Sequence, residues 1–571
     1  MADFTYDLCV YGTSEAGIFA AIAAKRQGLA RVCLVIDAQT LDNFSTMGLG
    51  RADIGKSRGL GGLYKTFARR TGNIYAYSIS YPFASGDIEK LFCSWLGSWG
   101  VDVIRSQQVT SVQMTGTVIT QLTMDTGMTI AAAQFIDGSL FGDVMQRALP
   151  RVAIADSTEN GPRGWTIGSE SDTAYGESLA GYGKTRPATT GQPYDSAGNL
   201  RNGATPAPNL PVGSAWDGIA APGVRTMVTD DPSRMFPWSR ITEGMVNPYN
   251  REDVLFAASL IGTGSPFTPN GVAQGKYDLN SIVIMTDPVT HRPTHWDYAL
   301  LSYAGRDADD RKYLEFMRSR LFFTATDEAF AGAYQNSQNE YGTPRDEFFA
   351  GDRYTSRLPY RREGPRLIGE YVMCEMDCRV TDTTQARHYL KPDAICLGTY
   401  SMDLKPIAYL PTSPTTILKE GDGENNPNRQ VAPDGYQVPL RSILPAAAQC
   451  TNLMVVYCAG WTHIGWGSGR IICTNAMMGE AAGIVAALAI QSGNSVHSYA
   501  TTNYPTLNTV LLGWSAKLVP TPRGDDDDDE DTDGDGIPDD IDDDDDNDGI
   551  PDTEDPDDDG DGVADGDEAG G

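Results

Sequence analysis

Residues 6–37, YDLCVYGTSEAGIFAAIAAKRQGLARVCLVID, decide the fold class. Tyr6–Tyr11 is a short apolar run that predicts a buried strand. It breaks at Gly12-Thr13-Ser14 and passes into Glu15–Gln27, a stretch of Ala, Ile and Phe with helical propensity. A second apolar run, Arg31–Ile36, ends at Asp37. The order strand, tight turn, helix, strand has the length of a right-handed βαβ crossover and predicts a parallel sheet.

The same stretch carries a chemistry. A diphosphate is held well at a helix N-terminus, where unpaired N–H groups and the helix dipole converge. Gly12 allows the sharp turn and Gly17 allows the helix to lie close on the sheet, while Ser14 stands where G-x-G-x-x-G has its middle glycine. Asp37 lies 20 residues after Gly17, the spacing expected of a carboxylate that accepts hydrogen bonds from an adenosine ribose.

Outward from this unit, the pattern predicts a helix near Asp87–Trp99, a strand at Val101–Arg105 and a small antiparallel meander over 109–136. Residues 184–223 are dense in Pro, Gly, Ser, Thr and Asn and read as a long loop; 298–334 read as helical. Leu453–Cys458 reads as a late buried strand, and Gly479-Glu480-Ala481-Ala482-Gly483 as the opening of a small-residue helix. A meander followed, hundreds of residues later, by a returning strand and glycine-rich helix favours FAD over NAD. The expected fold class is therefore α/β: a Rossmann-like FAD-binding domain of parallel sheet plus meander, interrupted by an α+β substrate domain. The expected boundaries are 1–150 and 440–500 for the FAD domain, 151–439 for the substrate domain, 501–524 for a linker and 525–571 for an acidic tail.

Composition excludes some classes. Residues 525–571 hold 24 Asp, 3 Glu and no Lys or Arg, so the tail carries 27 of the 32 net negative charges and the body is mildly acidic. No clustered basic face is visible, so nucleic acid is not an expected partner. The nine scattered cysteines favour free thiols over a disulfide framework, Cys374 and Cys378 included. No signal peptide is visible at the N-terminus, and the longest apolar run, Ala481–Ile490, is about half a membrane span.

A series of blocks resembles the xanthan-lyase-like FAD-dependent oxidoreductases over about residues 5–500. They are VYGTSEAGIFAAIAAKRQG (10–28), MGLGRADIG with GGLYKTF (47–67), FIDGSLFGDVM (135–145), YGESLAG (175–181) and TDDPSR (229–234). GEYVMCEMDC (369–378), LGTYSMD (397–403), THIGWGSGRI (462–471) and MGEAAG (478–483) complete the order. The resemblance implies that Gly12, Ser14, Gly17 and Asp37, with the neighbouring Glu15, hold the ADP half of FAD. It also implies that Gly467–Arg470 and Gly479–Gly483 close over the ribityl chain and flavin. The family usually has Gly-Gly where this chain has Asp42-Asn43, in the loop expected beside the cofactor, and many members carry histidine where this chain has Met376 and Leu404.

A flavin enzyme needs a base and a means of orienting the substrate. Among five histidines, His463 is the first candidate base, with Arg470 seven residues on as a partner for reduced flavin or an anionic substrate. Glu370 and Tyr371, beside Glu375 and Asp377, form a second acid–base candidate. His291 and His295, in HRPTH, read as a loop rather than a metal site. The expected reaction is hydride transfer from a C–H bond of a small or carbohydrate-like substrate to flavin. The alternative is a flavin-fold binding protein without catalysis, assembled or tethered through its tail.

That tail is periodic. Asp531-x-Asp533-x-Asp535-Gly recurs as Asp544-x-Asp546-x-Asp548-Gly and Asp557-x-Asp559-x-Asp561-Gly, a 13-residue period, with Asp539, Asp552 and Asp565 three residues after each Gly. Alternating carboxylates before a turn-forming glycine suit a hard cation such as Ca²⁺. The units resemble thrombospondin type 3 repeats, which suggests an extracellular or cell-surface setting and an oligomeric or surface assembly.

Overall fold

The computed structural model describes residues 2–75, 77, 79–245, 251–260, 267, 269–348, 354–379, 391–423 and 426–520. The acidic tail, 525–571, with all of its repeat positions from Asp531 to Asp565, lies outside the described residues.

Strand β1 (Phe4–Tyr11) leads through Gly12 into helix α1 (Glu15–Arg26) and returns as β2 (Val32–Val35). Helices α2 (Gly62–Tyr75) and α3 (Ser85–Ser98) follow, then β3 (Asp102–Ile104) and the meander β4 (Val109–Thr115), β5 (Val118–Met124) and β6 (Thr129–Asp137). The sheet order is β3-β2-β1-β6-β5-β4. β1 pairs in parallel with β2 and β6, and Leu453–Val455 pairs in parallel with Phe135–Asp137 at the far end of β6. The late strand thus returns to the first sheet, as the α/β reading expects. The first part of β6, Thr129-Ile130, pairs instead with β5, antiparallel.

Apolar side chains on both faces of β1 explain its central place: Leu8, Cys9 and Val10 are fully buried. Helix Ile472–Ser492 lies along α1 on one face of the sheet. It is long and apolar enough to cross a membrane, yet most of that stretch is buried within the protein, as befits a core helix.

Two expectations change. The late helix starts at Ile472, not at Gly479. Gly479 and Gly483 sit in its middle, where a Cβ would come within 2.0 Å of the Ala16 carbonyl and 2.2 Å of the Ala20 carbonyl. They are the contact face that lets two helices touch backbone to backbone. The stretch read as linker holds helix Tyr504–Gly513, with Leu507 and Leu511 buried on the core. Its apolar i,i+4 pair at 507 and 511 gives it a face to bury.

Beyond the first sheet, Thr226–Thr229, Lys276–Leu279 and Asn270–Gly271 form an antiparallel sheet. It packs with helix Tyr303–Thr326 around a second core that includes Val228, Trp238 and Phe316. The helical reading of 298–334 resolves into that helix and a short one at Ala333–Gln338. Within 184–223, Ala188–Thr190 adds a strand to the hairpin Ala408–Ser413 and Thr416–Glu420. All nine cysteines are free thiols, and only Cys93 is exposed.

Candidate functional site

The β1–α1 turn is built around residues with little choice. Gly12 has φ +102°, and a Cβ there would lie 2.2 Å from the Ser139 nitrogen. Gly17 is packed against the Gly12 carbonyl and Gly138. Ser14, in the place of the middle glycine, is the N-cap of α1: its hydroxyl accepts from Gly17 N at 3.2 Å and donates to Gly138 O at 2.6 Å. Its side chain is therefore turned back toward β6, fully buried. The missing glycine leaves no side chain projecting outward from the turn.

Glu15 is also buried. Its carboxylate accepts from the Ser45 N–H at 2.9 Å and hydroxyl at 2.7 Å, and burial raises its pKa against those bonds. Thr13 donates to the Asp42 carbonyl. Residues 42–45 are thus tied down over the first turn of α1. Asp42 forms an ion pair with Arg357, and its other oxygen accepts from Thr40. Asn43 is fully buried; its side-chain oxygen accepts from Thr46 N, while its Nδ2 has no partner.

Asp37, past the end of β2, is exposed. Desolvation, then the Asp143 carboxylate, push its pKa up to about 6, with Arg357 and Arg306 opposing. Arg306 is committed to Asp143 and the Ala299 carbonyl. The Tyr303 hydroxyl meets that of Tyr11 at 3.0 Å.

These residues fit the ADP half of FAD. The turn is free of Cβ where only glycine is tolerated, an acidic side chain follows β2, and two buried donors, Asn43 Nδ2 and Arg357 Nε, stand without partners beside the turn. Gly12–Gly17 would hold the phosphates and Asp37 the ribose. When bound, FAD supplies the hydride-accepting flavin ring.

From the 42–45 segment, packing leads to the helix His463–Gly469. Phe44 lies against Tyr360 and Tyr457, with centroids 4.6 and 5.8 Å apart, and Tyr457 packs on Trp466. Arg470, the C-cap of that helix, pairs with Asp403 and donates to the Tyr360 hydroxyl at 3.0 Å. Burial opposes its charge, but Tyr360 and Asp403 outweigh that and raise its pKa. Asp403 is half-buried, and against that desolvation Arg470 and Lys405 hold its pKa down to about 2. Gly467 packs against Asp403 and Leu404.

His463 opens the helix. Its N–H donates to Glu170 at 2.8 Å, and Nδ1 lies 2.9 Å from both oxygens of Glu363. Desolvation pushes the Glu363 carboxyl upward, yet His463 and Arg366 hold it below the usual range. An ionised Glu363 fixes Nδ1 as the protonated nitrogen and leaves Nε2 as the basic one. Arg366, fully buried, also binds Glu170 at 2.8 Å and the Gly168 carbonyl at 2.6 Å. Beneath it, Glu177 accepts from Thr462 and from Glu375 N; desolvation, then Glu170, push its pKa up to about 8.

The second acid–base candidate is arranged differently. Glu370 is exposed and accepts from Ala447 N, while the Tyr371 hydroxyl donates to Asp377 and accepts from Lys391. Neither side chain joins the His463 cluster. His295 is buried with Nε2 at the Ile219 carbonyl, and burial lowers its pKa to about 3; among the described residues no acidic, Cys or His cluster has metal geometry. Glu363, Glu170 and Arg366 went unnoticed in the sequence. RREGPR (361–366) carries two of them, but nothing local ties it to position 463, 100 residues away.

Residues 7–507 match the model of the FAD dependent oxidoreductase family. The chain belongs to that family. By family it is an FAD-dependent oxidoreductase. No curated protein matches it. Solved structures similar to it include T. acidophilum thioredoxin reductase (16% identity, TM-score 0.16, covering 24% of this chain and 35% of that one). The bacillithiol disulfide reductase Bdr of Staphylococcus aureus is similar at 11% identity and TM-score 0.18, over 24% and 38%. The 3-ketosteroid-delta4-(5alpha)-dehydrogenase of Rhodococcus jostii is similar at 12% and 0.19, over 24% and 46%. Each match spans less than half of the other protein's length.

Proposed function

We propose that this enzyme oxidises a C–H bond of a small polyhydroxylated, carbohydrate-like compound, within the xanthan-lyase-like branch of the family, using His463 as the base. The observation that carries the reading is the pair of 2.9 Å contacts from His463 Nδ1 to Glu363. A carboxylate that fixes the tautomer leaves Nε2 able to take a hydroxyl proton while the hydride leaves the same carbon, which becomes a carbonyl. Arg470 steadies negative charge near the aromatic bridge, and Glu363 is a positioning residue. Glu370 and Tyr371 are proposed only as a support for the strand bridge between Met373 and Trp461.

The test screens sugars, sugar alcohols and sugar acids for anaerobic bleaching of bound flavin. With an active compound found, His463→Ala should keep the protein yellow and slow bleaching by about 10²–10⁴-fold. Unchanged bleaching would remove His463 as the base. Glu363→Gln should slow it less and shift its pH profile.

For the acidic tail we propose Ca²⁺ binding through its three 13-residue units. Calorimetry with Ca²⁺ should show saturable heat that disappears when Asp533, Asp546 and Asp559 become Asn. No heat in the unaltered chain would reduce the tail to a charged spacer.

A further inference from the structure

Arg357 stands where two cavities meet. One, of about 380 Å³, is lined by Thr40, Asp42, Met47 and Ser85; the other, of about 450 Å³, by Asp307, Arg311 and Ser356; Arg357 borders both. Its guanidinium pairs with Asp42, acts on Asp37, and keeps a buried Nε without a partner.

The charge at this point is unusual for a phosphate site. The turn at the N-terminus of α1 is flanked by Asp37 and Asp42, with Asp143 acting on Asp37. A diphosphate arriving there brings two more negative charges. Helix dipole and backbone N–H groups offset only part of that repulsion. Arg306 is already engaged by Asp143 and Ala299, which leaves Arg357 as the described guanidinium in contact with the 42–45 segment.

We propose that Arg357 is the counter-ion of the cofactor's diphosphate, and that Asp42 is the partner it holds until the cofactor arrives. This rests on FAD occupying the β1–α1 turn. Arg357 exchanges one oxyanion for another, so its charge is matched in both states, and its unpartnered Nε is used only in the second. Asn43 Nδ2 supplies a neighbouring donor.

The experiment measures binding of FAD, ADP and adenosine to the flavin-stripped full chain, by fluorescence quenching for FAD and calorimetry for the other two. Arg357→Gln should weaken FAD and ADP about tenfold or more and leave adenosine unchanged, because a charge-assisted bond to phosphate is lost. Arg357→Lys should restore part of the loss and should fold where the Gln variant does not. In Asp42→Gly/Arg357→Gln, ADP should remain weak. Recovery of normal ADP affinity in that double variant would mean that Arg357 only neutralises Asp42, and would overturn the proposal. So would an equal loss for adenosine and ADP. If the unaltered chain binds neither FAD nor ADP, the placement of the cofactor fails and this proposal with it. Normal binding by Arg357→Gln sinks the proposal alone.

Discussion

At the residue scale, the site tolerates two departures from the expected motif, for different reasons. Ser14 replaces a glycine but spends its hydroxyl on Gly17 N and Gly138 O, so its side chain is structural. Ser14→Gly should lower stability by about 1 kcal/mol, read by urea denaturation, without abolishing FAD binding. Lost binding at unchanged stability would show that the hydroxyl touches the cofactor. Gly12 allows no such freedom. Gly12→Ala meets Ser139 N at 2.2 Å in a left-handed backbone and should cost more than about 2 kcal/mol or prevent folding. Asp42 is the harder departure, since it adds charge where phosphate is expected, and the sequence around it contains no hint of Arg357. Their pairing spans 315 positions and exists only in the folded chain.

At the element scale, the contact between α1 and Ile472–Ser492 holds the nucleotide turn in place. Gly479 and Gly483 face the Ala16 and Ala20 carbonyls, so the helices approach as closely as backbone permits. Gly483→Val should push them apart and destabilise the protein by more than about 2 kcal/mol, with FAD release following the loss of the α1 position. A Tm within 1–2 °C of the unaltered protein would refute that packing. The small-residue pattern of this helix was visible in the sequence, but its meaning was not. Spaced glycines serve equally at a helix start beside a cofactor or at a helix crossing, and position along the helix decides between them. The His463 helix differs in kind. Its N-cap Thr462 binds both its own Gly465 N and Glu177, so the local cap signal and the distant buried acid are joined at one side chain.

At the scale of the whole molecule, the fold stores protons on buried acids. Glu177 is held at about 8 and Glu480 at about 7, both chiefly by desolvation, and Asp137 at about 6 for the same reason. Each folded value lies above the unfolded one. Their stabilising contribution is therefore complete below about pH 4 and is lost as pH rises through the folded values, to about pH 8. Denaturation free energy should fall from pH 5 to pH 8, with a slope on the order of 1 kcal/mol per pH unit that Glu177→Gln reduces. A flat or rising profile would contradict the burial of these acids. What the sequence by itself determined was local and periodic: the strand–turn–helix–strand at 6–37, the α/β class, the meander and the candidacy of His463. These follow from propensity, turn chemistry and hydrophobic alternation, which act between near neighbours. Tertiary structure alone decided that Glu363 lies against His463, that Arg357 answers Asp42, and that Tyr371 meets Lys391 and Asp377. Buried charges are stable only when paired, and their partners come from wherever the fold brings the chain together, at separations no local pattern encodes.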